Sequence, residues 1–213
     1  MSKRFLLILA ALVLIFFGVI IFTKQSKKND SGSVNSGGSN HIVGSSSSGV
    51  ALVEFGDFQC PACASYHPIL KEIKTKYAEQ ITFQFRHFPL VGNHQNAMAA
   101  HRAAEAAGKQ DRFWEMHDML YERQKTWEQS NNAAQIFEDY ATELGINIDQ
   151  YHQDIASSTI NEIINADIKA AQAIGANSTP TFAINGRKIN SPGSLEDFSK
   201  LIDEEIAKTQ VSE

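Results

Sequence analysis

Only two cysteines occur in the 213 residues, and they stand together in "EFGDFQCPACASYHPIL" (54–70) as Cys60 and Cys63. Two cysteines at this spacing can do three kinds of chemistry. As a structural staple they would close a loop of only a few residues, where the loss of chain entropy stabilises least. As half of a zinc site they need two more ligands. His67 could share a helix face with Cys63, but no second Cys or His pair completes a set. As a redox dithiol they need one reactive sulfur and one resolving sulfur.

The elements that would hold the pair favour the third reading. "VALVEF" (50–55) is a short apolar run of the kind that forms a strand buried on both faces. Pro61 suits the first turn of a helix, where its missing N–H is no loss, and the periodicity of Tyr66, Ile69, Leu70 and Ile73 carries that helix to about Tyr77. Cys60 then occupies the N-cap and Cys63 the third helical position. Free N–H groups and the positive end of the helix dipole lie beside the Cys60 sulfur and favour its thiolate. Cys60 reads as the exposed attacking and leaving sulfur, and Cys63 as its sheltered partner.

Further along, "ITFQFRHF" (81–88) alternates as a half-buried strand, so 50–88 forms a right-handed parallel βαβ unit. From Gly92 to Gly175 the chain reads as helical throughout, with an alanine-rich segment at 97–107 and with Gly145 and Gly175 where helix C-caps belong. Asn185-Gly186 inside "TFAINGRKIN" marks a hairpin. A last helix opens at Ser194 with Asp197 three residues on. The predicted fold class is α/β, a mixed sheet with helices on its faces.

Charge and composition bound the setting. Residues 1–30 carry five basic side chains against one acidic, whereas residues 31–213 carry 14 basic and 23 acidic. An acidic body repels phosphate backbones, so no nucleic-acid partner is expected. Phe5–Phe22 is an unbroken apolar run. Eighteen helical residues span roughly 27 Å, close to a hydrocarbon core of about 30 Å. No small-residue cleavage pattern follows it, which favours a single-pass anchor over a cleaved signal peptide, the alternative. Lysines flank both ends, so charge alone does not orient it. The short N-terminal flank makes export of the body the simpler topology, with the N-terminus cytoplasmic. From Ser26 to Gly49, 17 of 24 residues are Ser, Gly or Asn, the composition of a flexible tether.

"EFGDFQCPAC", "FRHFPL", "HRAAEAAGKQDRFWEMHDMLYE" and "STPTFAING", in this order over about residues 41–213, resemble the DsbA-like branch of the thioredoxin-fold thiol–disulfide oxidoreductases. The resemblance implies a thioredoxin fold with an inserted helical domain. The expected divisions are an anchor over 1–23, a linker over 24–49 (its end, 41–49, a potential ordered lead-in), a βαβ half over 50–91, the insertion over 92–175 and a ββα half over 176–213. It implies that Cys60 and Cys63 form the redox-active disulfide and that Thr179-Pro180 is a cis bond packed against it, with Thr179 contacting substrate. It also implies that Glu54, six residues before Cys60, lies under the pair as a proton carrier. Without the resemblance, Glu54 reads equally as a strand-end carboxylate turned to solvent. Phe58 and Gln59 are expected to shape the surface around the site.

The remaining histidines are read modestly. The resemblance implies that His87 and His94 lie near the site, but each reads more readily as a capping or surface residue, and His101 and His117 read as ordinary helix members. Trp114 and Trp127 are read as packing residues. Cysteine-containing exported proteins are the expected substrates and a membrane redox protein the recycling partner. No cofactor and no metal is expected, and with no spare thiol for a covalent dimer the chain is expected to be monomeric. The direction of electron flow stays open. Export and Pro61 favour an oxidant, while Ala62 and Thr179 depart from the best-known oxidant and keep a reductase or isomerase, for example one serving cytochrome assembly, as an alternative. A peptide- or metal-binding module is a third reading.

Overall fold

The computed structural model describes residues 37–210. The apolar run Phe5–Phe22 lies outside the described residues. Among those described, no helix is long and apolar enough to cross a membrane.

Five strands form one sheet in the order β1-β3-β2-β4-β5: β1 (His41–Val43), β2 (Val50–Gly56), β3 (Ile81–His87), β4 (Thr181–Ile184) and β5 (Arg187–Ile189). β2 and β3 run parallel, joined by helix α1 (Pro61–Lys76), and the other neighbouring pairs are antiparallel. Helices α2 (Ala97–Gly108), α3 (Phe113–Glu122), α4 (Gln124–Trp127), α5 (Ala133–Glu143), α6 (Ile148–Ile155) and α7 (Ser158–Ala173) follow β3 without an intervening strand. Helix α8 (Leu195–Gln210) closes the described chain.

Local chemistry accounts for the joints. Asn185 and Gly186 both have positive φ, 49° and 76°, the combination required by a tight hairpin between β4 and β5. Gly145 and Gly175 take the left-handed conformation just past α5 and α7. The Ser194 hydroxyl accepts the Asp197 N–H and donates to the Asp197 carboxylate, fixing the start of α8. Buried alanines on α2 (Ala100, Ala103, Ala104 and Ala107) leave no bulk to hold neighbouring helices away. On the same face of the sheet Phe182 of β4 meets Phe198 of α8 edge-to-face at 5.1 Å.

The described part of the segment read as a linker, 37–49, is docked on the domain, both in the stretch 41–49 allowed as an ordered lead-in and at Gly38 and Ser39 before it. His41–Val43 pairs with Phe83–Phe85, and Ser39 is buried. The Ser39 N–H and hydroxyl both donate to the Asp167 carboxylate, at 3.1 and 2.5 Å. That carboxylate also accepts Arg86 Nε at 2.7 Å and the His87 N–H at 2.9 Å. Gly38 is needed beside it, because a Cβ there would stand 2.1 Å from an Asp167 oxygen and 2.2 Å from an Arg86 nitrogen. The Ser/Gly composition that reads as a tether thus includes a docked segment, held by a buried carboxylate 128 residues away in sequence.

Candidate active site

β2 delivers the chain to the site and α1 begins there. Cys60 is the N-cap of α1 with an extended backbone (φ −72°, ψ 122°), Pro61 is the first helical residue and Cys63 the third. Both cysteines are free thiols. Cys60 is more enclosed than its expected role as an exposed sulfur suggests, with 7% of its surface accessible; Cys63 has none. The exposed residues of the motif are Pro61 and Ala62. Across from them the Thr179–Pro180 peptide bond is cis, and the Cys60 thiol donates to the Thr179 carbonyl oxygen at 3.3 Å. The Thr179 hydroxyl is buried, has no hydrogen-bond partner of its own among the described residues, and lies close enough to the sulfur to favour the thiolate.

These contacts separate the two sulfurs electronically. A hydrogen bond from Cys63 is the largest influence on Cys60; burial works against it, and the Thr179 side chain and the N–H groups of Cys63 and Ala62 add to it. The result lowers the Cys60 pKa to about 5. Burial pushes the Cys63 thiol well above its ordinary value, helped by Cys60 and Glu54. The Asp57 N–H approaches the Cys63 sulfur at 3.5 Å.

Glu54 lies on the central strand opposite Phe85 and Phe182 and is 1% exposed, so the solvent-facing reading is wrong. Neither carboxyl oxygen has a hydrogen-bond partner among the described residues. Burial raises its pKa to about 8, against the pull of Lys74. A carboxyl in this state takes up or gives a proton near neutral pH.

Phe58 and Gln59 do not shape the surface. Phe58 is fully buried and stacks on Phe85 at a centroid distance of 5.0 Å. Gln59 ties the cysteine loop to the insertion, donating to the Glu128 carbonyl at 2.7 Å and accepting the Asn96 N–H at 2.7 Å. Gln124, at the start of α4, does the same from the other side. Its side-chain amide donates to the carbonyls of Phe58 and Cys60 at 2.8 and 3.1 Å.

His87 is not a capping or surface residue, and His101, a helix member as expected, meets it in the interior. His87 and His101 are wholly buried and their Nδ1 atoms lie 2.6 Å apart. His87 Nε2 meets Glu105 at 2.6 Å, and the same carboxylate oxygen bonds His41. Burial alone would raise the Glu105 pKa, but the two imidazoles outweigh it and hold the carboxyl well below the usual range. Burial lowers the His101 pKa to about 4. His94 donates to Asp57 at 2.7 Å, and that fully buried carboxylate also accepts the N–H groups of Gln59 and Leu90. Sequence reasoning missed Asp57, Glu105 and Gln124. Only the position of Asp57 three residues before Cys60 could have drawn notice.

Comparison with known proteins gives the chain carrying this arrangement a family. The family model described as Thioredoxin matches residues 36–204. The chain belongs to the thioredoxin family. Among solved structures, this thioredoxin-family chain resembles oxidised BdbD from Bacillus subtilis (24% identity, TM-score 0.69), over 78% of this chain and 92% of that one. It resembles α-DsbA1 from Wolbachia pipientis (21% identity, TM-score 0.70) over 80% and 92%. Its fold is therefore that of the DsbA-like proteins, with the helical insertion. Curated relatives include Na(+)/H(+) antiporter NhaA 1 of Salinispora arenicola, 33% identical over 171 residues, and its namesake in Mycolicibacterium gilvum, 35% identical over 154. These alignments take in 80% and 71% of this chain. The chain spans about a quarter of the length of these relatives, 25% and 24% respectively.

Proposed function

We propose that this thioredoxin-family chain is a thiol–disulfide oxidoreductase acting as an oxidant, which donates a Cys60–Cys63 disulfide to cysteine-containing exported proteins. The observation that carries the proposal is the placing of the two sulfurs, Cys60 at the N-cap of α1 against the Thr179 carbonyl and Cys63 wholly buried behind it. That placing lowers the Cys60 pKa to about 5 and pushes Cys63 well up. A substrate thiolate attacks the Cys60 sulfur of the disulfide. The S–S bond breaks, a mixed disulfide forms, and Cys63 leaves as a thiolate that takes a proton. Glu54, with a pKa near 8, is suited to supply it. The substrate's second thiolate then attacks its own sulfur in the mixed disulfide and expels Cys60 as a thiolate. Two electrons have passed from substrate to enzyme.

A thiolate stabilised at Cys60 stabilises the reduced enzyme, and a stable reduced form makes a strong oxidant. Phe5–Phe22 would anchor the domain with the site outside the cytoplasm, where a membrane redox protein restores the disulfide. The oxidised full-length protein, mixed with a reduced unfolded substrate, is expected to regenerate substrate disulfides, and Cys60→Ser is expected to abolish this. No oxidation beyond the Cys60→Ser control would overturn the proposal. The redox potential against glutathione separates oxidant from reductase, because reductants such as thioredoxin lie at about −270 mV.

A further inference from the structure

Away from the sulfurs, α1 and α3 face each other through a second group of side chains with metal-binding chemistry. His67 lies on α1, one turn after Cys63, and His117 and Asp118 lie on α3. One ligand atom from each of the three falls within 4.8 Å of the others. His67 Nε2 is 3.7 Å from Asp118 Oδ1, and His117 Nδ1 is 2.9 Å from the same oxygen. Glu122, one turn further along α3, brings Oε1 to 3.8 Å from His67 Nε2.

We propose that His67, His117 and Asp118 bind one zinc-class divalent cation, with Glu122 as the fourth ligand, so that the metal clamps the redox helix to the inserted helices. Two observations carry it. First, the separations from His67 Nε2 to the two carboxylates, 3.7 and 3.8 Å, are too long for hydrogen bonds and suit ligands around an ion. His117 Nδ1 is hydrogen-bonded to Asp118 at 2.9 Å and would exchange that proton for the metal. Bonds of about 2.0–2.1 Å at tetrahedral angles place ligand atoms about 3.3 Å apart, within the range seen here. The other His–carboxylate group differs: His87 Nε2 sits 2.6 Å from Glu105, the spacing of a shared proton. Second, His67 is 94% buried, yet its Nε2 has no hydrogen-bond partner among the described residues and is aimed at these carboxylates. A buried imidazole nitrogen without a partner costs free energy, and a missing ion is one of the few explanations for such an atom.

Two lysines compete for the same oxygens. Lys71 Nζ bonds Glu122 at 2.8 Å, but its side chain is half exposed and can swing into solvent. Lys74 Nζ is 3.9 Å from Asp118 and lies over the Trp114 ring, 4.7 Å from its centroid, a site that keeps its charge satisfied when the carboxylate turns to a metal. Two imidazoles and two carboxylates suit zinc, whereas calcium and magnesium prefer all-oxygen sets.

The test is calorimetric titration of Zn²⁺ into the full-length chain, without a histidine tag and with Cys60–Cys63 oxidised so that thiolates cannot bind the ion. One saturable site per chain is expected. His67→Gln and Asp118→Asn, checked for folding by circular dichroism, are each expected to weaken binding about tenfold or more, while His152→Gln at an exposed control position leaves it unchanged. Zn²⁺ should also raise the melting temperature of the parent chain and not that of His67→Gln. Absence of saturable binding, or binding that survives both substitutions, would overturn the assignment.

Discussion

The Cys60 sulfur donates to the carbonyl oxygen of Thr179, 119 residues further along the chain, at 3.3 Å. The thiol is therefore seated on the backbone of the cis-proline loop, while the Thr179 hydroxyl beside it has no partner of its own among the described residues. Once the proton is lost, the carbonyl becomes a poor neighbour for the sulfur and the hydroxyl a good one. Thr179→Val keeps the shape and removes the donor, so the Cys60 pKa should rise from about 5. Thiolate absorbance followed against pH reads the midpoint directly; an unmoved midpoint would mean that Thr179 does not stabilise the thiolate.

The same thiolate should make the reduced protein the more stable form. The pKa of Cys60 is depressed on folding, from 9.0 to about 5. The unfolded chain binds the extra proton between these values, so the stabilisation is complete above about pH 9 and lost as pH falls through 5. Subtracting the melting temperature of the oxidised form from that of the reduced form, across this range, cancels contributions that do not depend on the redox state of the pair. The difference should grow with pH between 5 and 8 and nearly vanish below 5.

Glu54 acts in the opposite sense. Its pKa is raised on folding from 4.5 to about 8, so its favourable contribution is fully present below pH 4.5 and lost as pH rises through 8. Glu54→Gln keeps the size and removes the titration. At pH 8 and above the variant should be more stable than the parent by on the order of 2–5 kcal/mol, an advantage absent near pH 4.5. Urea denaturation at the two pH values measures this. Equal effects at both would exclude a raised Glu54 pKa.

Gln124→Ala tests the link between the helical insertion and the cysteine loop. The substitution leaves the carbonyls of Phe58 and Cys60 without their amide donor. A loss of about 1–3 kcal/mol is expected in denaturant unfolding, together with faster reaction of Cys60 with a small alkylating agent as its loop loosens.

What the sequence discloses of this protein follows the range of the interactions involved. Cys60, Pro61 and Cys63 fall at their helix positions because a proline in the first turn and a strand before it are local facts. Asn185-Gly186 is legible for the same reason, since positive φ at two successive residues demands those types. The network of His87, His101 and Glu105 is not legible, because its members come from β3 and α2 and gain meaning only when the sheet brings them together. His41–Val43 hides for a different reason. Three residues are too few for periodicity to show, and the flanking Ser and Gly read as linker. Asp167 looks like an ordinary polar position on α7 until Ser39, Arg86 and His87 converge on it.

That convergence also decides how the domain would carry a mechanical load. Near the N-terminal end of the described residues the chain is clamped by Ser39 on Asp167, then by β1 lying antiparallel along β3. A pull from the N-terminal side would be borne by this clamp, at the far edge of the sheet from β4 and the cis-proline loop. The sulfurs, two strands further in, would be spared the strain, so a pull on the N-terminal segment would leave the chemistry undisturbed.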